Sequence, residues 1–425
     1  VSTSSDPLSR AYTAYLKHPG CLSAVGLARE LRTRGHAQEA IRVVLHWADA
    51  DDAPLSLAQL GVEMNFLGQF AQAEQLLSRA LPGLAHDPNL YVVKFELTIA
   101  RYGQGKYHEA HTLYREIRDL AWRDQIVDTL YPVRDPGEYA WAKAKFLGHD
   151  EPVVGKRVLV LMEGGVGDLF MYARYFQQLK AEGARAVHVQ IVDAVRGVLP
   201  EDDCIRMASD LGTLPDECDC VTWVFNLFAR YQSNPYFPAQ AAPYIPTPPA
   251  EALPEPLRAA LAPVPGVVNV GLVWRSGTGV RHEPFRSLPL RALEPLLRTP
   301  GYRFHALQVG ALDDDERALY AQYGIVDLAP SLRSFAETAA ALGALDLLVS
   351  IDTGTAHLAG AMGRPVWLML SQAGDSRWLD CQRHTPWYPT MRLFRQTTLG
   401  DWQGPLDAMA AALAAGGEPG LRLRG

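Results

Sequence analysis

The sequence lacks the marks of several protein classes. It has five cysteines, Cys21, Cys204, Cys218, Cys220 and Cys381, an odd and scattered set. Cys218 and Cys220 form the one close pair, with no second pair to complete a structural zinc site. Free thiols in a reducing, cytoplasmic setting are the expectation, with no metal. No apolar stretch approaches the roughly 20 residues that span a membrane. There is no lysine-rich tail and the net charge is −7, which argues against a general nucleic-acid binder. Val1 to Asp6 lack the charged-then-apolar order of a signal peptide. What is present is a chain of 425 residues, 48% hydrophobic and 20% charged, long enough for about three folding units.

The first third repeats itself. "LAQLGVEMNFLGQFAQAEQLLSRAL" from Leu57 carries Gly68, Phe70, Ala73 and Leu77, and "LTIARYGQGKYHEAHTLYREI" from Leu97 carries Gly105, Tyr107, Ala110 and Tyr114. A weaker copy around Gly35 has Ala37, Ala40 and Val44. The marker glycines fall 33 and 37 residues apart. Glycine suits the tight turn between two antiparallel helices, and the alanines are small where the helices cross. The pattern resembles tetratricopeptide repeats, and three copies are enough for a stable stack.

After residue 148 the pattern changes. "RVLVLM" from Arg157 reads as a buried parallel strand, "EGGVGD" as a turn, "LFMYARYFQQLKAEGA" as one helix and "AVHVQIV" as the next strand, a βαβ unit. Prolines crowd Asn234 to Gly266, leaving room for a short helix near Glu255 to Leu261. A second alternation begins at "VVNVGLVW", with "YRFHALQVG" and "LDLLVSID" as strands and "LRALEPLLR" and "FAETAAALGAL" as helices. The expected fold class is α/β: two Rossmann-like lobes with a ligand cleft between their strand ends, preceded by an all-α repeat domain. The expected segments are 1–147 for the repeats, 148–240 for the N-terminal lobe, 241–266 for the linker and 267–425 for the C-terminal lobe.

Several motifs occur together: "EGGVGDLFMYARYFQQL", "VGLVWRSG", "FRSLPL", "SIDTGTAHLAGAMGRPVW" and "SRWL…TPWYPTMRLFRQ…GDW". In this order they resemble heptosyltransferase-like GT-B glycosyltransferases of family 9, and most closely bacterial proteins that carry tetratricopeptide repeats ahead of such a domain. The likeness covers roughly Arg157 to Trp402. A looser likeness is to protein O-linked sugar transferases built from repeats and a GT-B core.

The resemblance implies an inverting, metal-independent glycosyltransferase with no cofactor beyond its nucleotide-diphosphate sugar, and a lobe for each substrate: acceptor at 148–240, donor at 267–425. Asp352, Thr353, Gly354, Thr355 and His357 match the family's diphosphate cradle. A helix N-terminus with free N–H groups and threonine hydroxyls suits an anion. Read alone, Asp352 or Thr353 caps the helix and His357 is a core histidine. Arg286 matches the basic residue that contacts the leaving phosphates, a role a planar guanidinium suits. Arg275 stands where related sequences have a small Ala-Gly-Asn run, as a second phosphate contact or a solvated charge. Asp168 matches the proposed general base, with Gly165 and Gly167 permitting close approach; the alternative is a helix cap. Trp378, Trp387 and Tyr388 are candidates to stack on a base or sugar, or core residues. Ser376 replaces one tryptophan of the family's Asp-Trp-Arg-Trp run.

The repeats suggest a protein or peptide acceptor. The competing reading is a non-catalytic repeat scaffold with a nucleotide-sugar-binding domain. A Rossmann dehydrogenase, prompted by Gly165-Val166-Gly167, is disfavoured because Phe170 takes the third glycine position.

Overall fold

The computed structural model describes residues 6–50, 52–126, 140–232, 242–277 and 283–416. The expected bounds at residues 1, 240, 241 and 425, and the proline-rich stretch before Ala242, lie outside them.

Seven helices open the chain: α1 (Pro7–Lys17), α2 (Cys21–Thr33), α3 (Ala37–Ala48), α4 (Pro54–Phe66), α5 (Phe70–Ala80), α6 (Leu90–Gly103) and α7 (Tyr107–Ile117). The last six form three hairpins, α2/α3, α4/α5 and α6/α7. Gly35, Gly68 and Gly105 sit in the three turns at φ +82, +69 and +72, values that a side chain would strain. Ala40, Ala73 and Ala110 are fully buried where the hairpins close. Polar bonds step from one hairpin to the next. Arg32 donates to Glu63 at 2.5 Å, and Asn65 Nδ2 donates to the Glu96 carbonyl at 2.8 Å and its carboxylate at 3.0 Å.

Two parallel sheets follow. β1 (Arg157–Leu161), β2 (Ala186–Gln190), β3 (Ile205–Ala208) and β4 (Cys220–Trp223) lie in the order β3-β2-β1-β4. β5 (Val268–Val273), β6 (Tyr302–Ala306), β7 (Val326–Asp327), β8 (Leu347–Ile351), β9 (Val366–Leu370) and β10 (Met391–Arg395) lie in the order β10-β9-β8-β5-β6-β7. The second is the doubly wound Rossmann order, whose reversal between β5 and β8 opens a crevice at the strand ends. The expected fold is observed: two α/β lobes in the GT-B arrangement, behind an all-α region. All described cysteines are free thiols.

One expected element is broken. The helix over residues 169–184 divides into Val166–Tyr172, a 3₁₀ turn at Ala173–Tyr175, and Phe176–Ala181. Side chains compete for the carbonyls at the break. The buried Arg174 donates to the Met171 carbonyl at 2.9 Å, and Tyr244 Oη donates to the Phe170 and Met171 carbonyls at 3.0 and 3.1 Å.

The helical array is docked rather than free. A Cβ on Gly68 would stand 3.1 Å from Ala373, and one on Gly105 would stand 2.6 Å from the Asp380 carboxylate, so the hairpin turns rest on the C-terminal lobe. Arg118, just past α7, enters the N-terminal lobe and pairs with Glu163 through both terminal nitrogens; Nη1 lies 2.9 Å from Oε1. Asn226 Nδ2 closes the link by donating to the Arg118 carbonyl at 2.6 Å.

Candidate functional site

Two strand-to-helix turns meet where the lobes face each other. The first follows β1 and runs Glu163-Gly164-Gly165 into the helix Val166–Tyr172. The second follows β8 and runs Asp352-Thr353 into the helix Gly354–Ala361. Gly167 and Gly354 form the contact: a Cβ on Gly167 would lie 3.4 Å from Gly354 Cα and 2.8 Å from His357 Cδ2. Backbones approach this closely only where side chains are missing.

Thr353 is the N-cap of the second helix, its Oγ1 accepting from Ala356 N–H at 3.4 Å. The first helical bond of that turn is His357 N–H to Thr353 O at 3.1 Å, so the N–H groups of Gly354 and Thr355 precede the i→i−4 ladder. Thr353, Gly354 and Thr355 are half-buried, the most open residues of the turn. Arg286, three-quarters buried, reaches the same turn: it donates to the Asp352 carbonyl, and its Nη2 lies 3.8 Å from Asp352 Oδ1.

Asp352 is the hub beneath the turn. Its Oδ2 accepts from the Trp378 indole at 3.0 Å, and its Oδ1 lies 3.2 Å from His357 Nε2. Burial alone would raise its pKa, but Arg286, His357 and Arg377 hold it well below the usual carboxylate range. His357 bonds Tyr388 Oη through Nδ1 at 2.9 Å and stacks on Trp378 with ring centroids 5.3 Å apart.

Asp168 lies at the third position of its helix, not at the N-cap. Its Oδ2 accepts from Gly165 N–H at 2.7 Å. Its Oδ1 lies 2.5 Å from Nη1 of Arg377, which belongs to the other lobe. Nη2 of the same guanidinium holds Asp375 at 2.8 Å. Burial would lower the pKa of Arg377, yet Asp168 and Asp375 keep it well above its ordinary value.

Gly165, Gly167, Asp168, Arg286, Asp352, Thr353, Gly354 and Thr355 thus gather at one junction. Three expectations need correction. Trp378 is not available to stack on a base: it is fully buried, with its indole N–H spent on Asp352. His357 is 2% exposed, with Nδ1 bonded to Tyr388 and Nε2 close to Asp352 but without a hydrogen-bond partner among the described residues, so the core reading describes its packing in this structure. Arg275 is neither a solvated charge nor part of the Asp352 turn. Its Nε lies 3.1 Å from Glu316 Oε1 and its Nη2 donates to the Ala311 carbonyl at 2.9 Å, on the loop after β6. Trp387 and Tyr388 are also core residues.

Sequence reasoning missed Arg377, although it lies within the quoted "SRWL" run. Nothing local signals that its partner stands 209 residues earlier. It also missed the Arg118–Glu163 pair, whose acidic member directly precedes the glycine-rich turn. Among the described residues, no group of three or more His, Cys, Asp or Glu side chains is placed to hold a metal ion, and no helix is long and apolar enough to cross a membrane.

Residues 308–369 match the family model described as Glycosyltransferase family 9 (heptosyltransferase). That segment carries β8, the Asp352–Thr355 turn and His357. Protein FlbA of Caulobacter vibrioides is 30% identical over 161 residues, which are 36% of this chain. The match spans 26% of that relative's length. Solved structures of similar shape include a family 9 glycosyl transferase from Veillonella parvula (11% identity, TM-score 0.44, covering 63% of this chain and 91% of that one). The ADP-heptose LPS heptosyltransferase II of E. coli is similar at 14% identity and TM-score 0.43, with 61% and 98% covered. An O-GlcNAc transferase of Thermobaculum terrenum is similar over 88% of this chain and 84% of its own, at 16% identity and TM-score 0.26.

Proposed function

We propose that this chain is an inverting glycosyltransferase that moves a sugar from a nucleotide-diphosphate sugar to an acceptor hydroxyl. The family 9 match over the β8 turn supports the activity class. The observation that carries the reading is the meeting of the Gly165–Asp168 and Thr353–Thr355 turns across the lobes.

In this reading the donor diphosphate lies against Gly354 and Thr355 N–H, the threonine hydroxyls and Arg286. These groups stabilise the negative charge that grows on the leaving oxygen as the bond to the anomeric carbon breaks. A fixed donor of this kind contributes on the order of 3 kcal/mol to the transition state. The acceptor oxygen attacks from the opposite face and its proton passes to Asp168 Oδ1. Because that oxygen pairs with Arg377, Arg377 must shift when the acceptor arrives. His357, Trp378 and Tyr388 act indirectly by fixing Asp352 below the turn. Arg275 shapes the β5 end of the crevice through Glu316.

The acceptor is proposed to be a protein or peptide approaching along the helical array, and the site of action the cytoplasm. No metal takes part in the reading, so transfer is expected to survive dialysis against EDTA. A second reading, a scaffold that binds nucleotide sugar without turnover, is favoured by the Asp168–Arg377 ion pair. Asp168→Asn separates the two. Loss of a positioned base is expected to slow transfer by about 10²–10⁴-fold while donor binding, measured by calorimetry, is kept. Full activity in the variant rules out Asp168 as the base; binding without transfer by the unaltered chain, across a donor and acceptor panel, leaves the scaffold.

A further inference from the structure

A cavity of about 350 Å³ lies where the helical array meets both lobes. The array supplies Phe66, Phe70, Phe95, Tyr102 and Tyr114, and the N-terminal lobe adds Tyr172, Phe225 and Phe228. The C-terminal lobe closes it with Ala373 to Arg377, Leu379 and Trp387. Its size falls at the lower end of the roughly 300–1,000 Å³ of ligand pockets, and the mix of aromatic walls and few polar groups is typical of them.

Three observations mark it as a built site. First, Asn65 lines it, is 3% exposed, and its Oδ1 has no protein hydrogen-bond partner among the described residues, while its Nδ2 is held by Glu96. A buried acceptor left in this way calls for a donor. Second, Leu379 on its wall has φ +53 and ψ −152, a conformation that L residues rarely adopt and that clusters at functional sites. Third, Asp375 and Arg377 form part of the lining, and Arg377 contacts Asp168 directly, so the cavity ends one side chain from the candidate base.

The lining also selects its occupant. Among the described residues it leaves one buried acceptor, Asn65 Oδ1, and one buried donor, Arg377 Nε, without a hydrogen-bond partner, while the Glu96 and Asp375 carboxylates are engaged by Asn65 and Arg377. A simple anion offers no donor to Asn65, and neither does a plain acyl chain. A bulky apolar side chain flanked by amide N–H groups satisfies both the aromatic walls and Asn65.

We propose that this cavity receives a large apolar side chain, with its neighbouring amide, from the polypeptide that carries the acceptor hydroxyl. The proposal rests on the glycosyl-transfer reading and narrows its acceptor class to proteins with such a residue near the modified position.

The test uses the full chain and calorimetric titration with N-acetyl-tryptophanamide and N-acetyl-leucinamide. N-acetyl-glycinamide, decanoate and adenosine serve as comparison probes. The two bulky amides are expected to bind with Kd of about 0.1–1 mM and the glycine amide not at all. Asn65→Leu removes the buried acceptor and Ile99→Trp, on the cavity wall, fills the space; each is expected to weaken amide binding by about tenfold or more. Thermal melts check that each variant is folded, and if one is not, the other decides. Failure of both amides to bind the unaltered chain overturns the proposal. So does tighter binding of decanoate, which makes the cavity an acyl site, or of adenosine, which makes it a donor site. Titration with nucleotide diphosphates on the same samples tests the transfer reading separately: amide binding without nucleotide binding sinks that reading alone.

Discussion

Asp168 and Arg377 come from opposite lobes, and their Oδ1 and Nη1 atoms lie 2.5 Å apart. The same guanidinium holds Asp375 at 2.8 Å, so one buried cation serves two carboxylates. The pair ties lobe closure to the state of the candidate base.

Arg377→Gln is therefore expected to cost about 3–5 kcal/mol of stability, because it leaves the buried Asp168 carboxylate without its cation. Arg377→Lys keeps the charge but lacks the fork, and should lose less. Melting curves of the two variants check this, and a glutamine variant as stable as the unaltered chain would show that the pair does not hold the lobes together.

Gly167→Ala tests lobe contact. The new Cβ would meet His357 Cδ2 at 2.8 Å, and His357 is pinned by Tyr388 and Asp352 and cannot yield. The variant should lose about 1–3 kcal/mol or open the cleft, with transfer falling at least tenfold. Gly165→Ala is the control: its Cβ would meet only Asp168 Oδ2, at 3.6 Å, and its φ of −94 suits any residue. Its melting temperature should be close to that of the unaltered chain. Equal losses in both variants would place the defect in the turn rather than the lobe contact.

Arg118 is the array's buried anchor in the N-terminal lobe, lying 3.4 Å from the Trp122 ring centroid as well as pairing with Glu163. Arg118→Met should cost about 3–5 kcal/mol by stranding Glu163, and adding Glu163→Gln should recover part of it. Hydrogen exchange should quicken at residues 163–168 in the single variant, because Glu163 leads directly into that turn. Protection unchanged there would show that the array does not steady the glycine-rich loop.

The elements legible in the sequence were those specified by neighbours in the chain. Gly35, Gly68 and Gly105 announced the hairpin turns because φ near +70 to +80 is a local demand. β1, β5 and β8 announced themselves as continuous apolar runs, and Thr353 as a cap. What stayed hidden depends on partners far away. Trp378 could be read as a stacking platform until Asp352 and His357 were seen to enclose it. Arg275 could be read as a phosphate ligand because its partner, the buried Glu316, lies beyond another strand. The helix break at Ala173–Tyr175 is imposed by Tyr244, a residue past the proline-rich stretch. The cavity needs three regions of the chain at once, and no window of sequence contains it.

Acid should unfold the protein before its carboxylates titrate. His111 and His305 are buried, and burial pushes both down to about 4. Each is neutral in the fold: His111 Nδ1 is bonded to Tyr102 Oη at 2.9 Å and His305 Nε2 to Asn269 Oδ1 at 2.9 Å. In the unfolded chain they titrate near 6.5, so between about pH 6.5 and 4 the unfolded state binds more protons and stability falls with pH. Full titration costs up to about 3 kcal/mol per histidine. Asp352 acts in the same direction but later: held low in the fold, it contributes stability above the ordinary carboxylate range that is lost only below about pH 4. The melting temperature is thus expected to be flat from pH 8 to 7 and to drop between pH 6.5 and 5. Proton uptake on unfolding at pH 5, read by calorimetry in buffers of different ionisation enthalpy, should fall by nearly one in His305→Gln. A melting temperature that holds to pH 4.5 would mean that these two rings take up protons without leaving their sites.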